Sequence, residues 1–415
     1  MAFPHRLRGR ESEEDLNLNE ITKQFIRENL NADVPTLALK KAPVGTDVSL
    51  ALRQIEARQL LRKKVPSWSE NENLLFPVHL SIEQCSSEAS AKYKASLLQG
   101  HSFADLTGGL GIDTYYISQH FQQSDYVERQ TELCDLARHN FDVLKANVGV
   151  WNETAEDYLS HCEPKDCIFI DPARRDTYGR KTVSISDCTP NVIDLQERLL
   201  QKAERVMIKL SPMLDISKAL EELHHVKEVH VVAVANECKE LDFVLERDYQ
   251  GETQFVCVNL LTSQPELRFT QEEERFCLSR FADEVLSYLY EPNPAVMKAG
   301  CFKLLTERFD VFKLHKNSNL YTSKQLIPDF PGRIFEVEAW APYNKKVKQT
   351  LLSDVDQASI AVRNFPLSVA ELRKVLKIGD GDAIYLFATT LKGEQKVLIR
   401  TKKAASDETA ALGFK

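Results

Sequence analysis

One stretch, His101–Asp113, constrains the chain more than any other: H-S-F-A-D-L-T-G-G-L-G-I-D. A short apolar run, Phe103, Ala104 and then Leu106, carries Asp105. Thr107-Gly108-Gly109-Leu110-Gly111 follows, and a helical pattern begins at Ile112. Strand, glycine turn and helix N-terminus in that order open a nucleotide-binding α/β sheet. The glycines permit positive φ and let a ligand approach with no Cβ in its way. An acid at the strand end suits a ligand bearing an amine or a ribose. A diphosphate is better served by bare amides and the helix dipole. The G-x-G-x-x-G fingerprint of NAD proteins is not met.

Further βα units should follow. The pattern predicts helix Ile112–Phe121, strand Ser124–Val127 ending in Glu128, and helix Thr131–Val148 with Leu133, Leu136, Phe141 and Leu144 inward. Glu128 lies 23 residues past Asp105, near the ~20-residue spacing at which an acid meets ribose hydroxyls. Val148–Trp151 reads as the third strand, and Thr154 opens a short helix. Cys167–Ile170 is an apolar strand ending in Asp171-Pro172-Ala173-Arg174-Arg175-Asp176. In open α/β sheets ligands sit beyond the carboxyl ends of the strands, which brings Asp171 to the ligand seated by Asp105. The plain alternative is that Asp171 only caps the following loop. Arg174 could stack on a base or grip a phosphate. Thr189-Pro190 predicts a helix start. Arg205–Leu210, Val226–Val234 and Leu241–Leu245 read as the fifth to seventh strands, with Phe255–Leu261 an additional one.

Outside this core, residues 1–75 predict a helical N-terminal domain, with Thr46 or Asp47 capping a helix to Arg62 that Pro66 ends. Residues 76–264 form the α/β domain; in it, Ser86 or Ser87 caps a helix closed by Gly100 just before the first strand. Residues 265–325 are a small segment in which Phe281–Tyr290 looks helical. Residues 326–402 predict a small α+β domain with helix Ser368–Leu376 and strands Ala383–Ala388 and Gln395–Arg400, and 403–415 a loose tail.

Composition excludes several classes. No run approaches the ~18 apolar residues that span a bilayer, and the basic N-terminus lacks the apolar stretch of a signal peptide. The nine cysteines are scattered with no C-x-x-C pair, which points away from disulfides and metal and towards a cytoplasmic protein with reduced thiols. Net charge is −8, which disfavours a generic polyanion binder. Local basic patches decide nucleic-acid contact, and they exist at Arg174–Lys181, Lys345/Lys346/Lys348 and Arg373/Lys374/Lys377. Each alone could be a solvated face.

D-L-T-G-G-L-G-I-D, E-R-Q-T-E-L-C-D-L-A-R-H-N, I-D-P-A-R-R, E-P-N-P-A-V-M-K-A-G and N-F-P-L-S-V-A-E-L-R-K-V-L-K-I together resemble the bacterial class I S-adenosylmethionine (SAM)-dependent methyltransferases with a ferredoxin-like segment and a THUMP-like C-terminal domain. The resemblance implies a Rossmann-like sheet, SAM as cofactor and S-adenosylhomocysteine (SAH) as product. It implies cofactor contacts from Asp105, Leu106, Thr107, Gly108, Gly109, Gly111, Asp113, Glu128, Arg129, Thr154 and Ala155, and catalytic roles for Asp171, Pro172 and Arg174. Many relatives place an acid where this chain has Thr154, to contact the adenine amine; Glu156 or Asp157 would have to substitute. Amino-methyltransferases carry D/N/S-P-P-aromatic where this chain has D-P-A-R, so the second proline and the aromatic are missing. D-P-A-R is also similar to the D-P-P-R of RNA uridine C5 methyltransferases, but those need a cysteine after the fifth strand, where Ser211-Pro212 stands. THUMP domains deliver RNA to modification enzymes, so the expected reaction is N-methylation of a base in tRNA or rRNA, without metal or membrane. The alternatives are a small-molecule or protein methyltransferase, and a non-catalytic RNA-binding protein that keeps a SAM fold.

Overall fold

The computed structural model describes residues 18–77, 79–174 and 185–404. They fall into two compact units. The first holds the described residues up to Lys209, with Ser217–His225 and Leu245–Tyr249; the second holds Leu210–Ile216, Val226–Val244 and the described residues from Gln250 onward.

The first unit is built on β1 (Ser102–Asp105), β2 (Gln123–Val127), β3 (Val148–Trp151), β4 (Lys165–Ile170) and β7 (Ala203–Leu210), in the order β3-β2-β1-β4-β7 and all parallel. Between β4 and β7 in the chain lies a short antiparallel ribbon, β5 (Ala173–Arg174) with β6 (Cys188–Thr189). Strand order reverses between β1 and β4, so β1 and β4 flank the switch-point crevice where such sheets bind ligands. Within this unit, Arg247 N–H donates to the Glu204 carbonyl and Arg205 pairs with Glu246, so the chain just after the seventh predicted strand runs beside the start of β7.

Helices cover the sheet. Helix Thr131–Leu144 buries Leu133, Leu136, Ala137 and Phe141, and the Val48–Lys64 helix packs its Ala51 and Ile55 in the same cluster as Leu133 and Leu136. Asp47 caps that helix through the Leu50 amide. Pro66 does not merely end it: with its fixed φ it starts a further turn of helix, Pro66–Ser69. Ser87 is the cap before β1, and Gly100 is not the closing residue, because helix Glu88–Leu97 already ends at Leu98. Likewise Asn191, not Thr189, caps helix Val192–Lys202; Thr189 is held in β6 instead.

β8 (Val226–Val234) and β9 (Glu237–Glu246), which belong to the second unit as far as Val244, are joined by Ala235-Asn236, both at positive φ. This is the two-residue hairpin turn that matches strand twist, so β9 starts four residues before the predicted Leu241. Beyond β8 lie β10 (Gln254–Leu260), parallel to it, and antiparallel β11 (Leu267–Thr270).

The rest of this unit is a seven-stranded sheet in the order β13-β14-β12-β15-β18-β17-β16. Its strands are β12 (Tyr288–Pro292), β13 (Phe312–His315), β14 (Ser318–Ser323), β15 (Gly332–Pro342), β16 (Ser359–Val362), β17 (Tyr385–Thr390) and β18 (Lys396–Lys403). Both faces are covered where alternation allows it: Leu386, Ala388 and Leu398 enter one cluster, Phe387, Val397 and Ile399 the other. Ser368 caps helix Val369–Leu376 with a full capping box, as the sequence predicts. The predicted helix Phe281–Tyr290 is absent. Ala282, Val285 and Leu289 have helical spacing and are buried together, but Tyr288–Tyr290 pairs with β14 and β15, and cross-strand pairing of aromatic residues overrides periodicity. Among the described residues no helix is long and apolar enough to cross a membrane. The predicted loose tail lies outside the described residues beyond 404.

Candidate functional site

The glycine turn is shaped by its neighbours on β2. A Cβ on Gly108 would lie 2.1 Å from the Tyr126 ring, so the backbone is pressed onto a fully buried aromatic. The Tyr126 hydroxyl donates to the Gly109 carbonyl (2.7 Å). Gly109 and Gly111 sit at φ +53° and +84°, the left-handed region that other residues enter only at a cost. Over Gly109 a Cβ would meet nothing nearer than the Thr107 carbonyl at 3.7 Å. The turn is therefore open at this position.

Glu128 directly follows β2 and is buried. One carboxylate oxygen accepts from the Gly109 amide (3.1 Å), the other from the Gln130 amide (2.9 Å). It thus ties the turn to the end of β2, and each oxygen keeps a lone pair for a further donor. Arg129 beside it is exposed.

Asp105 lies beneath the turn, almost completely buried. Its oxygens accept from the Thr107 amide (2.9 Å) and the Thr114 hydroxyl (2.6 Å). Burial, with the negative charges of Asp113 and Asp171 nearby, pushes its carboxyl up to about 7 despite those two hydrogen bonds. Leu106 is buried and donates its amide to the Phe169 carbonyl (3.0 Å), fastening the turn to β4. Thr107 fastens it again, because its hydroxyl accepts from the Asp171 amide (2.6 Å).

Asp171 follows β4 directly, its side chain 35% exposed. Lys209, near the end of β7, donates to one of its oxygens. Pro172 is buried behind it. Arg174 closes β5, and its side chain and residues 175–184, including the expected basic loop, lie outside what the structure describes. Asp113 accepts from the Ser86 hydroxyl (2.6 Å) and pairs with Lys94 at 3.2 Å. Burial pushes its carboxyl up, but the cations of Lys94 and Lys209 outweigh burial and hold it below the ordinary range. Thr154 caps helix Ala155–His161 through the Asp157 amide and donates to the Asp157 carboxylate; Ala155 is buried in its first turn.

Asp105, Thr107, Asp113 and Asp171 therefore meet on one side of the turn, with Glu128 and Gly109 on the other. Sequence reasoning missed three members of the cluster: Ser86, Lys94 and Lys209. Lys94 did leave a signal, since it falls on the small-residue stripe Ser90, Ala91, Ala95 that the helix buries. Lys209 left another, an ammonium inside the apolar strand V-M-I-K-L. Lysines are almost never buried without a partner.

Residues 288–331 match the model of a ferredoxin-like domain, and residues 332–403 that of a THUMP-like domain. No curated protein matches. A crystal structure from Porphyromonas gingivalis W83, described as a "putative methyltransferase", shares 35% identity over 94% of this chain and 99% of its own, at a TM-score of 0.84. The chain belongs to this family. It carries a ferredoxin-like segment and a THUMP-like domain at its C-terminus, as the sequence motifs indicate. An rRNA methylase from Streptococcus thermophilus (16% identity, 42% of this chain and 100% of its own, TM-score 0.30) is far less similar. So is TrmK from M. capricolum in complex with SAH (9%, 39% and 68%, TM-score 0.31).

Proposed function

We propose that the chain transfers a methyl group from SAM to a nitrogen of a base in structured RNA. The observation that carries the reading is the convergence of Glu128, the open turn at Gly109 and Asp171 at the carboxyl ends of β2, β1 and β4. These residues fit the cofactor. Gly109 leaves room for a ligand against the backbone, and a buried carboxylate with spare lone pairs suits two ribose hydroxyls.

Glu128 would take the ribose, with Arg129 beside it, and the turn from Leu106 to Gly111 would line the cofactor. Asp105 acts from below, keeping Thr107 and Thr114 in place, while Asp113 joins the first turn of the following helix to Ser86 and Lys94. Thr154 and Ala155 would border the adenine. Bound there, SAM would supply an activated methyl: an N–C bond to the base nitrogen would form as the C–S bond gave its electrons to sulfur, leaving SAH, and the nitrogen would lose a proton to water. The protein's part is orientation. Asp171 can accept an N–H of the amine and so aim the lone pair, with Pro172 stiffening the turn and Arg174 gripping the base or a phosphate.

Ser211-Pro212 offers no nucleophile for covalent C5 chemistry, and burial pushes the Cys167 thiol up to about 11, which leaves it a poor nucleophile. The THUMP-like match favours RNA. A protein or small-molecule acceptor is the second reading, favoured by the net charge of −8. Calorimetry with SAH and nucleotide mass spectrometry of RNA from a strain lacking the gene, before and after treatment with enzyme and SAM, test the proposal. No SAH binding rejects the methyltransferase, and SAH binding with no new methylated nucleotide rejects the RNA.

A further inference from the structure

We propose that Lys209 is a positioning residue for methyl transfer, fixing the Asp171 carboxylate so that one oxygen is held and the other is left to receive the substrate amine. The inference rests on the methyltransferase reading of the site.

The geometry comes from the sheet. β4 and β7 run parallel with Ile170 opposite Ile208, so Asp171 and Lys209 are the next pair along. Val206, Met207, Ile208 and Leu210 are all buried, and a lysine among them is costly unless its ammonium finds an anion. Its side chain is only 12% exposed, and its Nζ donates to Asp171 Oδ2. The Asp171 amide is anchored separately on the Thr107 hydroxyl. Main chain and side chain of Asp171 are thus fastened by two different strands, β1 through its turn and β7. Oδ1 has no hydrogen-bond partner among the described residues.

A loop cap would be placed differently. A capping carboxylate turns towards amides of its own following turn, whereas this one is drawn to a lysine on the neighbouring strand. The surroundings explain why a cation is needed. Asp105 at the end of β1 and Asp113 in the first turn of the helix after it bring two more carboxyls nearby, and Lys94 is committed to Asp113 and Ser86. Without Lys209, Asp171 would face like charge with no fixed partner, and its side chain could take other rotamers. An orientation error of ~1 Å at such a site costs on the order of 10²-fold in rate.

The test uses the full chain with tritiated-methyl SAM and a whole-cell extract of a strain lacking the gene, so that RNA, protein and small acceptors are all offered. Lys209→Met should lower the rate at saturating SAM by on the order of 10²-fold, with the KM for SAM and the SAH affinity unchanged. Lys209→Arg, which keeps a donor and a charge, should restore most of that loss. Lys209→Met combined with Asp171→Asn should be no slower than the slower single variant, because residues acting as one unit are not additive. Lys209→Gln replaces the methionine variant if that does not fold. A Lys209→Met or Lys209→Gln enzyme within twofold of the wild-type rate, or strictly multiplicative losses in the double variant, would overturn the role of Lys209 alone. A wild-type chain that binds no SAH, or labels nothing in the extract, would overturn the methyltransferase reading and this proposal with it.

Discussion

Replacing Asp105 by asparagine separates the charge of this carboxyl from its hydrogen bonds. The asparagine oxygen can still accept from the Thr107 amide, and its NH2 can donate to the Thr114 hydroxyl, which simply reverses its role. The contacts survive; the titration does not. In the wild type the carboxyl moves from 3.8 to about 7 on folding, because burial disfavours its charge. Between those values the native chain holds a proton that the unfolded chain has lost. Stability from this group is fully present below pH 4 and is lost as pH rises through 7. The loss is on the order of 4 kcal/mol. The asparagine variant has no such loss. Near pH 4 the two chains should differ by about 1 kcal/mol or less, since hydrogen bonds are exchanged like for like. By pH 8 the variant should be the more stable by several kcal/mol. Urea series at pH 4 to 8, read by hydrogen exchange of the β1 peptide, measure this within the first unit. Parallel stability curves for the two chains would refute the reasoning.

Other substitutions follow from the same geometry. Gly108→Ala drives a methyl into the buried Tyr126 ring and should cost about 1–3 kcal/mol, seen in the same urea series. Gly109→Val meets open space but needs a left-handed valine. It should weaken SAH binding in calorimetry by more than tenfold while the chain stays folded. Asp171→Ala should slow single-turnover methyl transfer by on the order of 10²-fold and leave SAH affinity within about twofold. Arg58, buried under four carbonyls of residues 69, 71, 72 and 74, should destabilise the first unit by about 3–5 kcal/mol when changed to methionine. RNA binding should fall steeply with salt, and a Lys345/Lys346/Lys348→Glu chain should show a shallower salt slope in filter binding.

The glycine turn and the strand-end acids could be read from sequence because each answers a local demand. Left-handed backbone at Gly109 and Gly111 calls for glycine, and an apolar run closed by an acid and a proline marks where β4 stops. The lysines could not be placed that way. Lys94 meets Asp113, and Lys209 meets Asp171, only after the sheet has formed, and nothing in the spacing of 209 − 171 residues encodes a register between parallel neighbours. Helical spacing at Ala282, Val285 and Leu289 misled for a related reason: three buried residues can share a cluster whether the chain between them coils or runs extended. Caps fared in between. Ser368 and Asp47 stand directly before their helices, whereas Thr189 lost the role to Asn191 once β6 claimed it.

Strand β15 is shared property. Its first residues, from Gly332 to Glu336, pair with β12 of the ferredoxin-like segment, and residues from Phe335 to Pro342 pair with β18 of the THUMP-like segment. The boundary at 331/332 is a line drawn across a woven cloth. Cutting there would strip β12 of a partner along its whole length and leave a raw sheet edge, the sort of surface on which chains stick to one another. The two segments must therefore be inherited, expressed and mutated together, and what either does alone can be learned from altered surface charges but not from excision.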